Sequence, residues 1–287
     1  MKSMVYVSGA TGGLGRSMAV ECASRGWDLF LTDIDGTRLA NLAESLCAAW
    51  NVRVSHHPCD MTDKASRTEL LETMRNSGID LHMAINVAGL DYEGFFLEKS
   101  RAQILNLLSV NVMSTVDMMH SLPALRDKSR PFHMINVCSM AGMFPMPVKA
   151  TYAASKRLLI DLSLALREEF TAINGTVTAL CPAGMATNEV LLRSLDVQGI
   201  AGQLTTLEVG HIAAATIDAA LKGKAIYIPG MINRVLTHAG HLLPPTVIAK
   251  LIGWRWSRTN REFAEKLRKA DFCQESGQPS QLGRMIC

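Results

Sequence analysis

The 287-residue sequence predicts an α/β fold, in which helices cover both faces of a doubly wound parallel sheet to give a three-layer sandwich. Short apolar segments alternate with longer helical patterns, and the apolar segments resemble strands buried on both faces. A glycine-rich turn also separates the first strand from the first helix. No repeat or linker interrupts this alternation. We therefore predict one domain over residues 1–229 and a C-terminal helical arm over 230–287, with disordered last residues.

The elements follow one another in a regular order. A β-rich run at residues 5–8 precedes the glycines and a helix-compatible segment at 16–25, and an apolar run at 27–33 follows. The apolar spacing predicts further helices at 37–50, 62–77, 101–125, 150–171 and 206–221. Short β-rich runs between them predict strands at 52–57, 81–86, 132–139, 175–180 and 225–228.

The composition excludes several classes of function. The chain is 48% hydrophobic, and its net charge of +3 is too small to indicate a nucleic-acid partner. Seven cysteines lie scattered, without Cys-x-x-Cys pairs or metal-ligand spacing, which favours reduced thiols and no metal site. The sequence leaves no room for a signal peptide, and no apolar run approaches the ~18 residues of a membrane span. We expect a cytoplasmic protein.

The glycine-rich turn is a candidate phosphate site. Gly9, Gly13 and Gly15 stand between the first strand and the first helix. Glycines permit a tight turn and let backbone N–H groups approach a phosphate at a helix N-terminus. The alternative is a glycine-rich turn that binds no ligand.

Asp33 is a candidate cofactor residue because it ends the second apolar run, about 20 residues beyond the glycines. An acid there accepts hydrogen bonds from an adenosine ribose and repels the 2′-phosphate of NADP. Ile34 follows, where a basic residue would help to bind that phosphate. The sequence thus favours NAD over NADP. The alternative is that Asp33 is a helix N-cap or turn residue, since Asp35 and Gly36 come next.

Tyr152 and Lys156 are candidate catalytic residues because positions four apart share one helix face. A phenol ordinarily titrates near pH ~10. An ammonium group beside it would lower that pKa, so that Tyr152 could exchange a proton with an alcohol or ketone. Chance supplies Tyr-x-x-x-Lys on many helices, so the pair depends on the rest of the site.

Several motifs occur together in a fixed order: Ser8-Gly-x-x-x-Gly-x-Gly15, Asn86-Val-Ala-Gly89, Asn111, Ser139 and Tyr152-x-x-x-Lys156. Over residues 4–229 they resemble the short-chain dehydrogenase/reductase family, in its short single-domain branch. The resemblance implies a Rossmann-type fold and an NAD(P)-dependent oxidoreductase that interconverts an alcohol and a ketone. It also implies a homodimer or homotetramer.

The resemblance implies a set of cofactor-binding residues. Asp60 would contact the adenine, unless it caps the helix near Thr62, and Asn86 would steady the central sheet as much as contact the cofactor. Ala183 stands where the family usually has Gly. The implied set is Gly9, Gly13, Leu14, Gly15, Asp33, Asp60, Met61, Asn86, Ala88, Gly89, Tyr152, Lys156, Pro182 and Thr187.

Four residues are implied in catalysis. Tyr152 would be the general acid/base, and Lys156 would lower its pKa and bind the nicotinamide ribose. Ser139 would orient the substrate oxygen, unless it is a simple turn residue. Asn111 would kink its helix and hold a water behind the lysine, unless it lies on a solvated helix face.

The substrate and the arm leave alternatives open. Residues 140–147 and the apolar side chains within 188–202 would line a pocket for a hydrophobic alcohol or ketone, or would pack against each other or against a partner subunit. The arm carries nine Lys/Arg and four Asp/Glu, with apolar side chains between them. It either covers the pocket or a neighbouring subunit, or lies on an anionic membrane; Pro244 and Pro245 favour the first by interrupting a long helix. Rival functions are a non-catalytic NAD(H) sensor or scaffold, an NADP-dependent carbonyl reductase, and a nucleotide-sugar epimerase or dehydratase.

Overall fold

A single parallel sheet organises the molecule, for which a computed structural model describes residues 4–183 and 208–255. Seven strands lie in the order β3-β2-β1-β4-β5-β6-β7, and the predicted doubly wound sheet is confirmed. Because the strand order reverses between β1 and β4, a crevice opens at the carboxyl ends of those strands. The strands are β1 Met4–Ser8, β2 Asp28–Thr32, β3 Val54–His56, β4 Leu81–Asn86, β5 Phe132–Val137, β6 Gly175–Leu180 and β7 Ile226–Tyr227.

Helices connect the strands and continue beyond β7. Those of the sheet layers are α1 Gly13–Ser24, α2 Gly36–Ala49, α3 Lys64–Asn76, α4 Arg101–Leu108, α5 Thr115–Ser121, α6 Ala150–Phe170 and α7 Val209–Leu221. Two more helices form the described part of the arm, α8 Met231–His241 and α9 at residues 245–255. The segments 184–207 and 256–287 lie outside the described residues; they include residues 188–202, which were predicted to line the pocket, and the last residues of the arm.

Two apolar cores lie on opposite faces of the sheet. Successive side chains of a strand point to opposite faces of the sheet, so along β1 Val5 and Val7 belong to one core and Tyr6 to the other. The first core is completed by α1, α2 and α7, and the second by α3, α5 and α6. Both faces of the sheet are thereby covered, so ligands can reach it only at strand ends.

The helix predicted at 101–125 is not one continuous helix. A π-helical segment, Ser109–Ser114, separates α4 from α5, and a 3₁₀ turn at Leu122–Leu125 ends the run. The π segment contains Asn111, whose buried amide hydrogen-bonds outside the helix. Pro123 lacks the N–H that an α-helix needs, which ends regular pairing there.

The arm bends where the sequence predicted a break. Pro244 lies between α8 and α9, and Pro245 is the first residue of α9, since an α-helix tolerates proline only in its first turn. Among the described residues, no helix combines the length and hydropathy needed to cross a membrane.

Candidate active site

The glycine-rich turn adopts a conformation that larger residues would not permit. Gly9 has a φ of +62°, and a Cβ on Gly15 would lie 2.0 Å from the Gly9 carbonyl oxygen. Gly12 precedes α1 without a side chain that caps its N–H groups. These N–H groups therefore face a cradle that suits the phosphates of a dinucleotide.

A cavity of about 720 Å³ extends from this turn across the carboxyl ends of the central strands. It brings together most of the residues that the sequence nominated. They are Gly9, Gly13, Leu14, Gly15, Asp33, Asp60, Met61, Ala88, Gly89, Ser139, Tyr152, Lys156 and Pro182. Neither Asn86 nor Asn111 lines it, and Thr187 lies outside the described residues.

Asp33 lies in the cavity and is not the cap of α2. Its Oδ2 accepts a hydrogen bond of 2.8 Å from the Thr11 N–H, so the carboxylate also braces the glycine-rich turn. The α2 N-cap is Asp35, whose Oδ1 accepts from the Arg38 N–H at 3.0 Å. Of the two alternatives left open by the sequence, the capping role of Asp33 is therefore wrong.

Asp60 likewise lies in the cavity without capping a helix. Its Oδ1 accepts from both the N–H and the hydroxyl of Thr62, at 2.8 and 2.7 Å, which forms an Asx turn. The next helix begins at Lys64, and Asp63 caps it. Asp60 thus braces its own turn and lines the cavity.

Asn86 lies behind the cavity, between the central strands. Its Nδ2 donates to Asn136 Oδ1 at 2.8 Å, and Asn136 Nδ2 donates to Ser163 Oγ at 3.0 Å. The segment that follows Asn86 is held differently, since Ser8 Oγ accepts from the N–H groups of Val87 and Ala88. Asn86 therefore steadies the sheet, while Ala88 and Gly89 reach the cavity wall.

Asn111 is fully buried, so its placement on a solvated helix face is wrong. Its Oδ1 accepts from the Leu90 N–H at 2.7 Å, and its Nδ2 donates to the Leu90 carbonyl at 2.9 Å. The amide also lies 3.3 Å from Ser155 Oγ. Asn111 thereby ties the π segment to the cavity wall and to the helix that carries Tyr152.

Tyr152 and Lys156 lie in the first turns of α6, with Lys156 Nζ 5.8 Å from the centre of the Tyr152 ring. The buried ammonium group donates to the Val137 carbonyl at 2.8 Å, at the end of β5. Ser139 follows β5; its Oγ accepts from the Ala141 N–H and hydrogen-bonds the Tyr152 side chain. Ser139 is thus both a cap and a neighbour of the phenol.

The electrostatics of Tyr152 differ from the sequence-based expectation. Burial and the nearby Asp91 carboxylate raise its pKa to about 12, against the lowering effects of Ser139 and Lys149. Burial also lowers the pKa of Lys156. The expectation of a lowered phenol pKa is therefore wrong, because burial and Asp91 outweigh the groups that lower it.

A second lysine beside Tyr152 was not predicted. Lys149 Nζ lies 5.9 Å from the Tyr152 ring centre and pairs with Asp91 Oδ2 and Glu93 Oε1, each at 2.5 Å. Burial alone would lower the pKa of Lys149, but the two carboxylates raise it. Lys149 is therefore a fixed positive charge next to the phenol, and Asp91 brings a negative charge to the cavity wall.

Comparison with known proteins decides the family. The family model described as short chain dehydrogenase matches residues 3–193. The chain belongs to this family. It is 30% identical over 179 residues to a very-long-chain 3-oxoacyl-CoA reductase of Laccaria bicolor, and over 199 residues to sulfoacetaldehyde reductase 2 of Chromohalobacter salexigens. These matches cover 61% and 67% of this chain; they span about half (52%) of the first relative and 76% of the second.

Solved structures show the same fold. A 7β-hydroxysteroid dehydrogenase superposes with a TM-score of 0.79 at 20% identity, covering 88% of this chain and 96% of the other. A short-chain dehydrogenase/reductase from Burkholderia phymatum in complex with NAD gives 0.73 at 22% identity, covering 85% and 96%. L-sorbose reductase from Gluconobacter frateurii, complexed with NADPH, gives 0.71 at 18% identity, covering 79% and 94%. The structural neighbours of this chain thus include an NAD complex and an NADPH complex.

The segment 140–147 of this short-chain dehydrogenase does not line the cavity that contains Tyr152. Ser139 caps a 3₁₀ turn at Met140–Met143, and Gly142 packs so closely on α6 that a Cβ would lie 2.7 Å from the Lys156 carbonyl carbon. This contact directs residues 142–147 to the opposite side of α6. There they line a second, largely apolar cavity of about 790 Å³ with residues of the arm.

Arg38 and the Asp91–Lys149 pair are the residues that sequence reasoning missed. Arg38 lines the cavity, and its Nη2 donates to the Thr11 carbonyl at 3.2 Å. The available signal for the pair was its position, because Asp91 lies two residues after Gly89 and Lys149 precedes Tyr152 by less than one helical turn. At the far end, Pro182 and Ala183 both line the cavity, so Ala is accommodated where the family usually has Gly.

Proposed function

We propose that this short-chain dehydrogenase interconverts a secondary alcohol and a ketone, with NAD as its cofactor. One observation supports this most strongly. Tyr152, Lys156 and Ser139 line the same cavity as the glycine-rich turn and Asp33, so acid/base groups and a dinucleotide cradle share one space. A non-catalytic NAD(H) sensor would need the cradle but not the acid/base groups.

The cradle fits a dinucleotide by its own geometry. Gly15 lies so close to the Gly9 carbonyl that a side chain on Gly15 would fill the turn. The uncapped N-terminus of α1 faces the cavity and offers its N–H groups to a phosphate. When bound, a nicotinamide dinucleotide supplies or accepts the hydride. The chain itself binds the phosphates, orients the substrate oxygen and moves one proton.

Proton transfer is assigned to Tyr152. With a pKa of about 12 the phenol is protonated near neutral pH, which prepares it to donate a proton to a ketone oxygen. In the oxidation direction the phenolate takes the hydroxyl proton of the alcohol. Ser139 positions the substrate oxygen, Lys156 stabilises the phenolate and binds the nicotinamide ribose, and Asn111 supports the proton route behind Lys156.

The preference for NAD rests on Asp33, whose carboxylate lies in the cavity where it would meet an adenosine ribose. Arg38 favours the alternative, an NADP-dependent carbonyl reductase, because a guanidinium group at the same wall suits a 2′-phosphate. Fluorescence titration with NADH and NADPH tests the proposal in the wild type and in Arg38→Ala. Tighter NADPH binding that Arg38→Ala abolishes would assign the enzyme to NADP.

We further propose a substrate with a hydrophobic body, a cytoplasmic location and a homodimer or homotetramer. The apolar side chains of segment 188–202, among them Val190, Leu191 and Leu192, support the choice of substrate. The comparisons include reductases named for an acyl-CoA, a sulfonated aldehyde and a sugar, so none of these substrates transfers by likeness. A panel of steroid and aliphatic alcohols against polyols, ranked by kcat/KM, tests the proposal.

The decisive experiment is Tyr152→Phe, which removes the hydroxyl and keeps the ring. We expect NADH binding to remain and turnover to fall by several orders of magnitude, since general acid/base catalysis alone contributes roughly 10²–10⁴-fold. Tyr92→Phe is the matched control, because Tyr92 is not among the residues that line the cavity. Full activity of Tyr152→Phe would refute the mechanism, and a wild type that binds NADH but turns over nothing in the panel would favour the sensor.

A further inference from the structure

The helix α8 is oriented with its polar side inward. Asn233 and Thr237 are its buried residues, and their side chains bond to the Pro229 and Asn233 carbonyls at 2.9 and 2.8 Å. The apolar side chains point outward instead, with exposed fractions of 76% for Met231, 62% for Val235 and 86% for Leu242. A surface helix of a globular protein normally buries its apolar stripe. The outward stripe of α8 therefore indicates an apolar environment beyond the described residues of this chain.

The helix α9 extends the same apolar surface. Ile248 is buried and lines the second cavity, whereas Val247, Leu251 and Trp254 are exposed. These three recur at helical spacing, so they lie on one side of α9. We call the exposed apolar residues of the two helices the arm face; it comprises Met231, Ile232, Val235, Leu236, Leu242, Leu243, Val247, Leu251 and Trp254.

The stretch of sequence that forms the arm face is basic. Residues 219–261 contain seven Lys/Arg and no Asp or Glu. Arg234 and Lys250 are exposed on the same two helices as the apolar residues. The basic residues of the stretch are Lys222, Lys224, Arg234, Lys250, Arg255, Arg258 and Arg261.

We propose that the arm face docks this dehydrogenase on an anionic membrane surface. Apolar side chains on an interfacial helix enter the headgroup and acyl boundary, while lysine and arginine contact anionic lipid headgroups. A second copy of the chain is a poorer occupant, because a two-fold contact brings two patches of like charge together. The prolines that break the arm leave two short helices, each able to lie flat on a surface.

Co-sedimentation of the full chain with vesicles tests the proposal. One set of vesicles is pure phosphatidylcholine and the other contains about 30% phosphatidylglycerol, which gives the charge that attracts basic helices. We expect binding to the anionic vesicles, little binding to the neutral ones, and weaker binding in high salt. The variant Met231→Asn/Val235→Asn/Leu242→Asn should reduce the partition by about tenfold or more.

A matched control replaces two exposed apolar residues elsewhere, Leu97 and Met113, which are 93% and 63% exposed. Leu97→Asn/Met113→Asn should bind anionic vesicles as the wild type does. A wild-type protein that stays in the supernatant would overturn the proposal, as would equal partition of the triple variant. If light scattering instead shows that the triple variant dissociates an oligomer and vesicles bind neither form, the arm face is a subunit contact. NADH binding is expected to be unchanged throughout, so this test does not depend on the proposed reaction.

Discussion

Replacing Lys149 should change the pH dependence of catalysis without touching the cofactor cradle. The Lys149→Met variant removes a fixed positive charge whose Nζ lies 5.9 Å from the centre of the Tyr152 ring. At an effective dielectric constant of about 20, two unit charges at that distance interact by about 2.8 kcal/mol, or about two pKa units. Solvent at the cavity mouth screens part of this, so we expect the pKa of Tyr152 to rise by about one unit.

The sign of the effect follows from the charges that remain. Without Lys149, the Asp91 carboxylate still disfavours the phenolate, so the pH at which alcohol oxidation reaches half of its plateau moves upward. Near pH 8, kcat/KM should fall by about three- to tenfold, because the greater basicity of the phenolate offsets part of its smaller fraction. The measurement is a pH profile of kcat/KM with an alcohol from the substrate panel.

Asp91→Asn is the matched variant of opposite sign. Because Asp91 raises the pKa of Tyr152, its removal should move the same profile downward, and the double variant should lie between the two single ones. Thermal unfolding of each variant separates this effect from loss of folding. Superimposable profiles for Lys149→Met and the wild type would refute the electrostatic reasoning.

Three other outcomes can be tested by unfolding and binding. Gly15→Ala should cost about 1–3 kcal/mol of stability and weaken NADH binding at least tenfold, because the new Cβ would meet the Gly9 carbonyl; unchanged titration and melting curves would contradict this. Burial lowers the pKa of His82 to about 4, so stability should be complete above pH ~6.5 and fall as the pH drops, by about 2 kcal/mol at pH 5. His82→Gln should flatten that dependence in denaturant titrations. Asn111→Ala should cost about 1–3 kcal/mol by leaving the Leu90 N–H and carbonyl without their partner, and a wild-type denaturation midpoint would argue against this role.

Local features of the site were predictable from the sequence because their causes are local. Gly9 and Gly15 belong to one turn, in which the backbone packs too closely for a side chain at either position. Tyr152 and Lys156 are one helical turn apart whatever the tertiary structure. The alternation of strands and helices likewise depends on short-range periodicity, and this is why the sheet was predicted correctly.

The remaining features depend on contacts between distant parts of the chain. Asp91 and Lys149 are 58 positions apart, and no periodicity links them. The π segment arises because Asn111 bonds to Leu90, 21 positions earlier, and its apolar neighbours continue a helical pattern that conceals it. The course of residues 142–147 is set by the packing of Gly142 against α6, which the sequence of that segment does not reveal.

The chain of side chains Asn86–Asn136–Ser163 also bears on how the sheet forms. Asn86 and Asn136 are paired neighbours on β4 and β5, and the chain continues through Ser163 to the Leu159 carbonyl. If β5 slipped by one position, Asn136 would turn to the opposite face, and these buried groups would lose their partners. A misaligned sheet would thus cost free energy at its centre, where buried polar groups would lack hydrogen-bond partners. The three polar residues therefore favour one register of β4 and β5. The same register brings Gly89 and Ser139 to one cavity.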